Sequence, residues 1–238
     1  MLAFLLCAVF AALMLMTVAN LPRYGSADAP TVNEVAQRYV EQGTEETGAV
    51  NTVAGMILDY RAFDTLGESF VLFTAVCAVT ILMNLSPKKR RPLPKEVVNY
   101  AADPIVAGVC RGLIPVILLF GVYILLNGHL SPGGGFSGGA VLAAGLMIYA
   151  LVWGDEAASR TFRASILQAV VVCSLGFYCL AKSYSFFTGA NHLHSVISPG
   201  TPGNILSSGL ILPLNVAVGL VVCCTMYSFY MYFRRGEL

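Results

Sequence analysis

The stretch Asn127-Gly-His-Leu-Ser-Pro-Gly-Gly-Gly-Phe-Ser-Gly-Gly139 lies between two long apolar runs and contains six glycines. Glycine tolerates positive φ and close backbone approach, and Pro132 lacks a donor, so the stretch is not an ordinary helix interior. Irregular backbone at membrane depth requires protein or a water-filled cavity to satisfy its polar groups. The stretch therefore predicts a tight turn between two membrane helices or the lining of an ion path. Its candidate structural residues are Gly128, Pro132, Gly133, Gly134, Gly135, Phe136, Gly138 and Gly139.

Composition places the chain in the membrane. Of its 238 residues, 57% are hydrophobic and 11% are charged, against about 25% charged in soluble domains. Apolar runs of spanning length predict an all-α, polytopic membrane protein. For Met1–Asn20 we expect a membrane helix rather than a cleaved signal peptide, because no Lys or Arg precedes the apolar run. The six predicted spans are Met1–Asn20, 66–85, 114–127, 136–153, 164–187 and 205–233, with Pro213 expected to kink the last.

Basic residues predict the orientation. They concentrate in the Pro-rich linker 86–100, in a predicted charged loop at 154–163 and at the C-terminus, whereas the segments near 128–138 and 188–204 contain no Lys or Arg. By the positive-inside rule, both termini and the linker are predicted to be cytoplasmic. The alternative for the linker, binding of nucleic acid or anionic lipid, is weaker because topology accounts for its charge.

Metal and cofactor sites are not indicated by the sequence. The seven cysteines fall in or beside apolar segments without a C-x-x-C pair, which is typical of small core residues. His192 and His194 form an H-x-H pair, too few ligands for a zinc site. Gln168 and Asn215 are polar residues within spans, where hydrogen bonds between helices are expected. We therefore predict no catalytic residues, no metal, no cofactor and no nucleic-acid partner.

The polar insert after the first span predicts helices outside the bilayer. Thr31 and Glu34 have the spacing of a capping box, and Gly43 offers a helix stop. Apolar residues at helical spacing from Val50 to Leu58 predict a second surface helix.

Charged residues near the membrane are the candidate functional residues. Asp59, Asp64 and Glu68 precede or begin the second span, and Lys182 lies in the fifth. Thr65 and Glu68 fit a capping box, Asp64 suits a helix N-terminus, and Arg61 with Asp59 fits a surface ion pair. Against plain capping, ionisable groups in membrane helices are costly and tend to be functional. Lys182 reaches the interface by snorkelling or belongs to a proton or cation pathway.

At Gly128-His-Leu-Ser-Pro-Gly-Gly-Gly-Phe136 the chain resembles the MnhB family, the B-type subunits of Mrp multisubunit Na⁺/H⁺ antiporters. The resemblance covers about residues 103–233. Residues 51–85 resemble the C-terminal end of the large A-type antiporter subunit, which in membrane-bound hydrogenases is a separate small subunit of the MbhE type. Three parts are therefore expected: residues 1–85, the linker 86–102 and a four-span MnhB-like domain at 103–238.

The resemblance implies a non-catalytic subunit of an ion-translocating complex in a prokaryotic cell membrane, with other membrane subunits, Na⁺, H⁺ and lipid as partners. The hypothesised ion path uses Asp59, Asp64 and Glu68 to attract cations, His129 as a pH-sensitive gate and Lys182 as a proton-exchanging charge. One alternative is the antiporter-like arm of an energy-converting hydrogenase or related oxidoreductase. Another is a purely structural role in assembly, and the sequence leaves the transported ion and its direction open.

Overall fold

The structure, a computed structural model, describes residues 2–21, 23, 25–26, 33–84 and 103–234. Every regular element in these ranges is a helix, as the sequence predicted. The chain forms two compact units, Met1–Glu41 and Gln42–Leu238.

The first unit contains one apolar and one amphipathic helix. Helix α1, Leu2–Ala19, corresponds to the first predicted span, and its 18 residues are at the short end of spanning length. Helix α2, Glu34–Glu41, begins where Asn33 Oδ1 accepts the Ala36 N–H at 2.7 Å. The predicted cap Thr31 lies outside the described residues, and the observed cap is Asn33.

Three short helical segments open the second unit. Helix α3, Gly43–Thr47, begins at the glycine that was expected to stop the preceding helix. Helix α4, Thr52–Gly55, is followed directly by a π-helix, Met56–Tyr60. The surface helix predicted from Val50 to Leu58 is thus present, with its second half wound as a π-helix.

Five helices of the second unit are long and apolar enough to cross a membrane. They are α5 (Ala62–Asn84), α6 (Pro104–Leu126), α7 (Gly135–Thr161), α8 (Ala164–Ala190) and α9 (Ile211–Arg234). Helix α6 is ten residues longer at its start than predicted, because Asp103 caps it through the Ile105 and Val106 N–H groups and Pro104 occupies its first turn.

Helix α9 is the core of the bundle, and glycines let its neighbours approach it closely. A Cβ on Gly139 of α7 would lie 2.6 Å from the carbonyl oxygen of Gly219 in α9. A Cβ on Gly138 would lie 3.0 Å from the carbonyl oxygen of Gly121 in α6. The small residues therefore serve close helix packing, the usual device in membrane bundles.

Two predictions about helix ends were wrong. The charged loop expected at 154–163 is mostly helix, because the chain breaks only at Gly154, with φ +85°, and α7 then continues to Thr161. The Glu156–Arg160 ion pair at 2.7 Å, four residues apart, supports this last segment. The final span begins at Ile211 rather than 205, so Pro213 falls in the first turn. A kink is not needed there, because first-turn N–H groups have no partner within the helix.

The two ends of the second unit gather different segments. At one end the Asn51 N–H donates to the His129 carbonyl at 3.0 Å, and Ser208 Oγ donates to the Gly48 carbonyl at 2.9 Å. We call this the outer end, following the predicted orientation. At the other end Arg234 contacts α7, which agrees with the predicted alternation of the spans.

Candidate functional site

Asp59 and Lys182 meet at the outer end of the bundle, although 123 residues separate them. The Lys182 Nζ donates to Asp59 Oδ1 at 2.9 Å. The lysine side chain is only 4% exposed, whereas that of the aspartate is 43% exposed. A buried ammonium group thus has a counter-ion that is still open to its surroundings. The sequence had marked both residues separately, but it had paired Asp59 with Arg61.

The π-helix explains why Asp59 points towards α8. The Arg61 N–H bonds the Met56 carbonyl at 2.8 Å, five residues back, and Arg61 itself has left helical geometry. The Ile57 carbonyl accepts the Thr65 Oγ1 proton at 2.8 Å. Thr65 is therefore not the helix cap that was predicted, because its hydroxyl serves the carbonyl that the irregular turn leaves free. π-Helical turns of this kind recur at functional sites.

A second contact fixes the same junction. The Tyr178 hydroxyl, one turn before Lys182 on α8, donates to the Ala62 carbonyl at 2.8 Å. Tyr178 is fully buried. The start of α5 is therefore held to α8 by one neutral hydrogen bond and one ion pair.

A polar cavity of about 300 Å³, the outer cavity, lies beside this pair. Segments from α3, the π-helix, the end of α8 and the loop before α9 enclose it. Its polar side chains belong to Glu46, Thr47, Asp59, Ser185, Thr188, Ser195 and Ser208. Carboxylate and hydroxyl oxygens are hard ligands of the kind that alkali and alkaline-earth cations prefer. The outer cavity thus offers a cation a path to Asp59.

The other predicted acids lie outside the outer cavity. Asp64 forms an exposed ion pair with Arg61 at 2.5 Å. Glu68 is exposed on α5. Neither lines the outer cavity, so the structure brings together only Asp59 and Lys182 among the predicted ionisable residues.

The glycine stretch is held by two asparagines from distant segments. The side chain of Asn51 donates to the carbonyls of Gly128 and Ser131 at 2.9 and 3.0 Å. The Oδ1 of Asn215 accepts the Gly135 N–H at 2.9 Å. Gly134 has φ +131°, which a residue with a side chain rarely adopts. Asn215 had been predicted to bond another helix and does so, whereas Asn51 was missed.

His129 is fully buried beneath the loop that precedes α9. Its Nε2 lies 3.3 Å from the Asn204 carbonyl oxygen. Among the described residues, Nδ1 has no hydrogen-bond partner. The ring does not line the outer cavity.

A buried ion pair at the opposite end was missed. Arg234 Nε lies 3.1 Å from Asp155 Oδ1, with the two side chains only 16% and 15% exposed. Arg234 also donates to the Ala150 carbonyl and to the Tyr230 hydroxyl. Asp155 had been assigned to a solvated loop, and its position just after Gly154 gave no sign of burial. His192 and His194 are exposed, and no cluster of metal ligands occurs in the part of the chain that the structure describes.

Comparison with known families identifies the longer half of the chain. A family described as a domain related to the MnhB subunit of Na⁺/H⁺ antiporters matches residues 105–228, just over half of the sequence. The chain belongs to the MnhB family. A second family, MbhE, described as one of the MBH subunits, matches residues 5–101. The resemblance seen in the sequence is therefore confirmed for both parts.

Two curated relatives extend the MnhB match. A protein of Methanocaldococcus jannaschii described as uncharacterised is 29% identical over 191 residues, which cover 72% of each chain. A probable K⁺/H⁺ antiporter A/B subunit of Rhizobium meliloti is 25% identical over 211 residues. The match covers 79% of the present chain but only 21% of that antiporter protein.

Two solved structures share the fold. A chain of the membrane-bound sulfane sulfur reductase, described as an archaeal respiratory membrane complex, matches with TM-score 0.72 and 27% identity. That match covers 98% of the present chain and 96% of the other. The Mrp complex from Dietzia sp. DQ12-45-1b matches with TM-score 0.69 and 23% identity, covering 95% of this MnhB-family chain and 25% of its counterpart. The second likeness concerns the fold alone.

Proposed function

We propose that the chain is a non-catalytic membrane subunit of a multisubunit complex that exchanges cations and protons, and that Asp59 and Lys182 form its ion-handling site. The observation that carries the proposal is the position of this pair: a buried lysine on a membrane helix with its counter-ion on the wall of a polar cavity. Ionisable groups at such positions are costly and usually belong to ion or proton pathways.

The pair suits exchange because one carboxylate can serve two positive charges. With Lys182 protonated, Asp59 neutralises the ammonium group at 2.9 Å. When a cation from the outer cavity reaches Asp59, it competes for the same oxygens and leaves Lys182 without its counter-ion. Burial without a counter-ion disfavours the charged form of a lysine, so cation arrival and proton release are coupled. The direction of the exchange then follows the gradients across the complex.

Further residues support this function in the proposal. Asp64 and Glu68 add negative charge outside the cavity and raise the local cation concentration. The glycine stretch closes the outer end of the bundle, and His129 lies within that packing. As a gate, His129 would act by loosening its contact with Asn204.

Coverage favours one type of assembly. The chain matches nearly the whole of its counterpart in the sulfane sulfur reductase complex, but only a quarter of its counterpart in the Mrp complex. We infer a separate subunit in the membrane arm of a respiratory or hydrogenase-type complex, and an Mrp-type antiporter whose large subunit is divided is the alternative. The two family matches meet near residues 101–105, which supports a division into an N-terminal part, a linker and an MnhB domain. Partners would be further membrane subunits in a prokaryotic cell membrane.

The test is ion exchange by the whole complex in everted membrane vesicles. Asp59→Asn keeps the size of the side chain and removes its charge, and Asp64→Asn is the matched control because Asp64 lies nearby but outside the cavity. We expect Asp59→Asn to abolish cation-dependent proton movement and Asp64→Asn to retain it. Normal exchange by an assembled Asp59→Asn complex would contradict the proposed site.

A further inference from the structure

A second cavity, here called the inner groove, lies between α5, α8 and α9. Its volume is about 340 Å³, and most of its lining is apolar. Phe73, Val76 and Ile81 line it from α5, and Leu167, Val171 and Val172 line it from α8. Gln168 also lines it, so this polar residue faces the groove.

The groove faces the hydrocarbon region of the bilayer. Ile81 and Val172 are 58% and 55% exposed, although both are apolar and lie within membrane helices. The groove lies in the half of the membrane nearest to Asn84, where α5 ends, and Ala164, where α8 begins. The basic-residue distribution assigns this half to the cytoplasmic leaflet.

The dimensions of the inner groove fit a hydrocarbon chain better than a helix. From Phe73 to Ile81 the helix rises by about 12 Å at about 1.5 Å per residue. A volume of about 340 Å³ over that length corresponds to a channel roughly 6 Å across, whereas a helix with its side chains is about 10–12 Å wide. A partner helix therefore cannot enter the groove, but an extended acyl chain can.

A cationic side chain stands at the cytoplasmic mouth of the groove. Arg163 precedes Leu167 by four residues and Val171 by eight, so all three share one face at the start of α8. Arg163 is exposed, and no acidic side chain pairs with it within the described ranges. In the sequence, Lys88, Lys89, Arg90 and Arg91 follow the end of α5 by four residues. Basic residues next to a membrane helix attract anionic lipid headgroups.

We propose that the inner groove and Arg163 bind an anionic phospholipid, with one acyl chain in the groove and the phosphate at the guanidinium group. The site is separate from the ion-handling pair, because it shares no residue with the outer cavity. The lipid fills the space between α5 and α8, and thus joins the two family-matched parts of the chain.

Native mass spectrometry of the purified complex tests this site, with phosphatidylglycerol and phosphatidylcholine added separately to the delipidated sample. Val172→Trp fills the groove, and Arg163→Gln removes the charge. Val116→Trp on α6 is the control, since Val116 is 62% exposed and does not line the groove. For the wild type we expect retained phosphatidylglycerol in preference to phosphatidylcholine.

The variants give distinct results. Arg163→Gln should weaken phosphatidylglycerol binding about fivefold, as expected for one cation near a membrane surface, and leave phosphatidylcholine unchanged. Val172→Trp should remove the retained lipid, and Val116→Trp should not. Equal retention of both lipids by all variants would mean ordinary annular lipid and overturn the proposal. Loss of a partner protein from the Val172→Trp complex on a native gel would also overturn it, in favour of a protein contact.

Discussion

Replacing Gly139 by alanine tests the packing that holds α7 against α9. The added Cβ would lie 2.6 Å from the Gly219 carbonyl oxygen and 3.1 Å from its Cα, both backbone atoms that no rotamer change can move. It would also lie 2.8 Å from the Val222 Cβ. Overpacking of this kind costs about 1–3 kcal/mol. The higher helix propensity of alanine returns at most about 1 kcal/mol, so the net loss of stability is about 1–2 kcal/mol.

Gly176→Ala on α8 is the matched control, because no heavy atom lies within 4 Å of its added Cβ. This variant should be neutral or more stable by up to about 1 kcal/mol. The free energy of unfolding, measured by SDS titration in mixed micelles, should therefore differ between the two variants by about 2 kcal/mol. Equal stability of Gly139→Ala and Gly176→Ala would refute the close contact between α7 and α9.

Three further substitutions test other contacts. Asn215→Ala leaves the buried Gly135 N–H without its acceptor and should lower stability in the same titration by about 1–3 kcal/mol; no change would mean that this bond does not hold the glycine stretch. Asp155→Asn strips the buried Arg234 of its counter-ion and should cost about 3 kcal/mol, whereas Glu156→Gln, which breaks only an exposed pair, should cost under about 1 kcal/mol. Glu68→Gln should raise the cation concentration for half-maximal exchange by a few-fold at most and leave the maximal rate intact; abolished exchange in an assembled complex would move the ion path onto α5.

The helices could be predicted from the sequence because long apolar runs have few alternatives in a bilayer. Their ends were harder. The sequence around Thr65 fits a capping box, but an irregular turn upstream supplies a carbonyl that its hydroxyl bonds instead. The segment after Gly154 is rich in charge and suggested a loop, although a single glycine absorbs the change of direction.

The candidate site was predicted in part. Asp59 and Lys182 could be singled out, because charges near membrane spans are conspicuous in an apolar sequence. Their pairing could not, because it depends on a π-helical turn and on the packing of α8 against α5. Asn51 resembled any loop asparagine, and its bonds to the glycine stretch exist only in the folded chain.

The central claim is that Asp59 and Lys182 exchange ions rather than merely hold α5 to α8. Asp59→Asn alone leaves an unpaired buried lysine, which is destabilising by itself. The double variant Asp59→Asn with Lys182→Met removes both charges and keeps the approximate length of each side chain, so the complex should assemble. Its cation–proton exchange in everted vesicles, with assembly checked on a native gel, is the most direct measurement. We predict an assembled complex without exchange; an assembled double variant that exchanges ions at the wild-type rate would contradict the account.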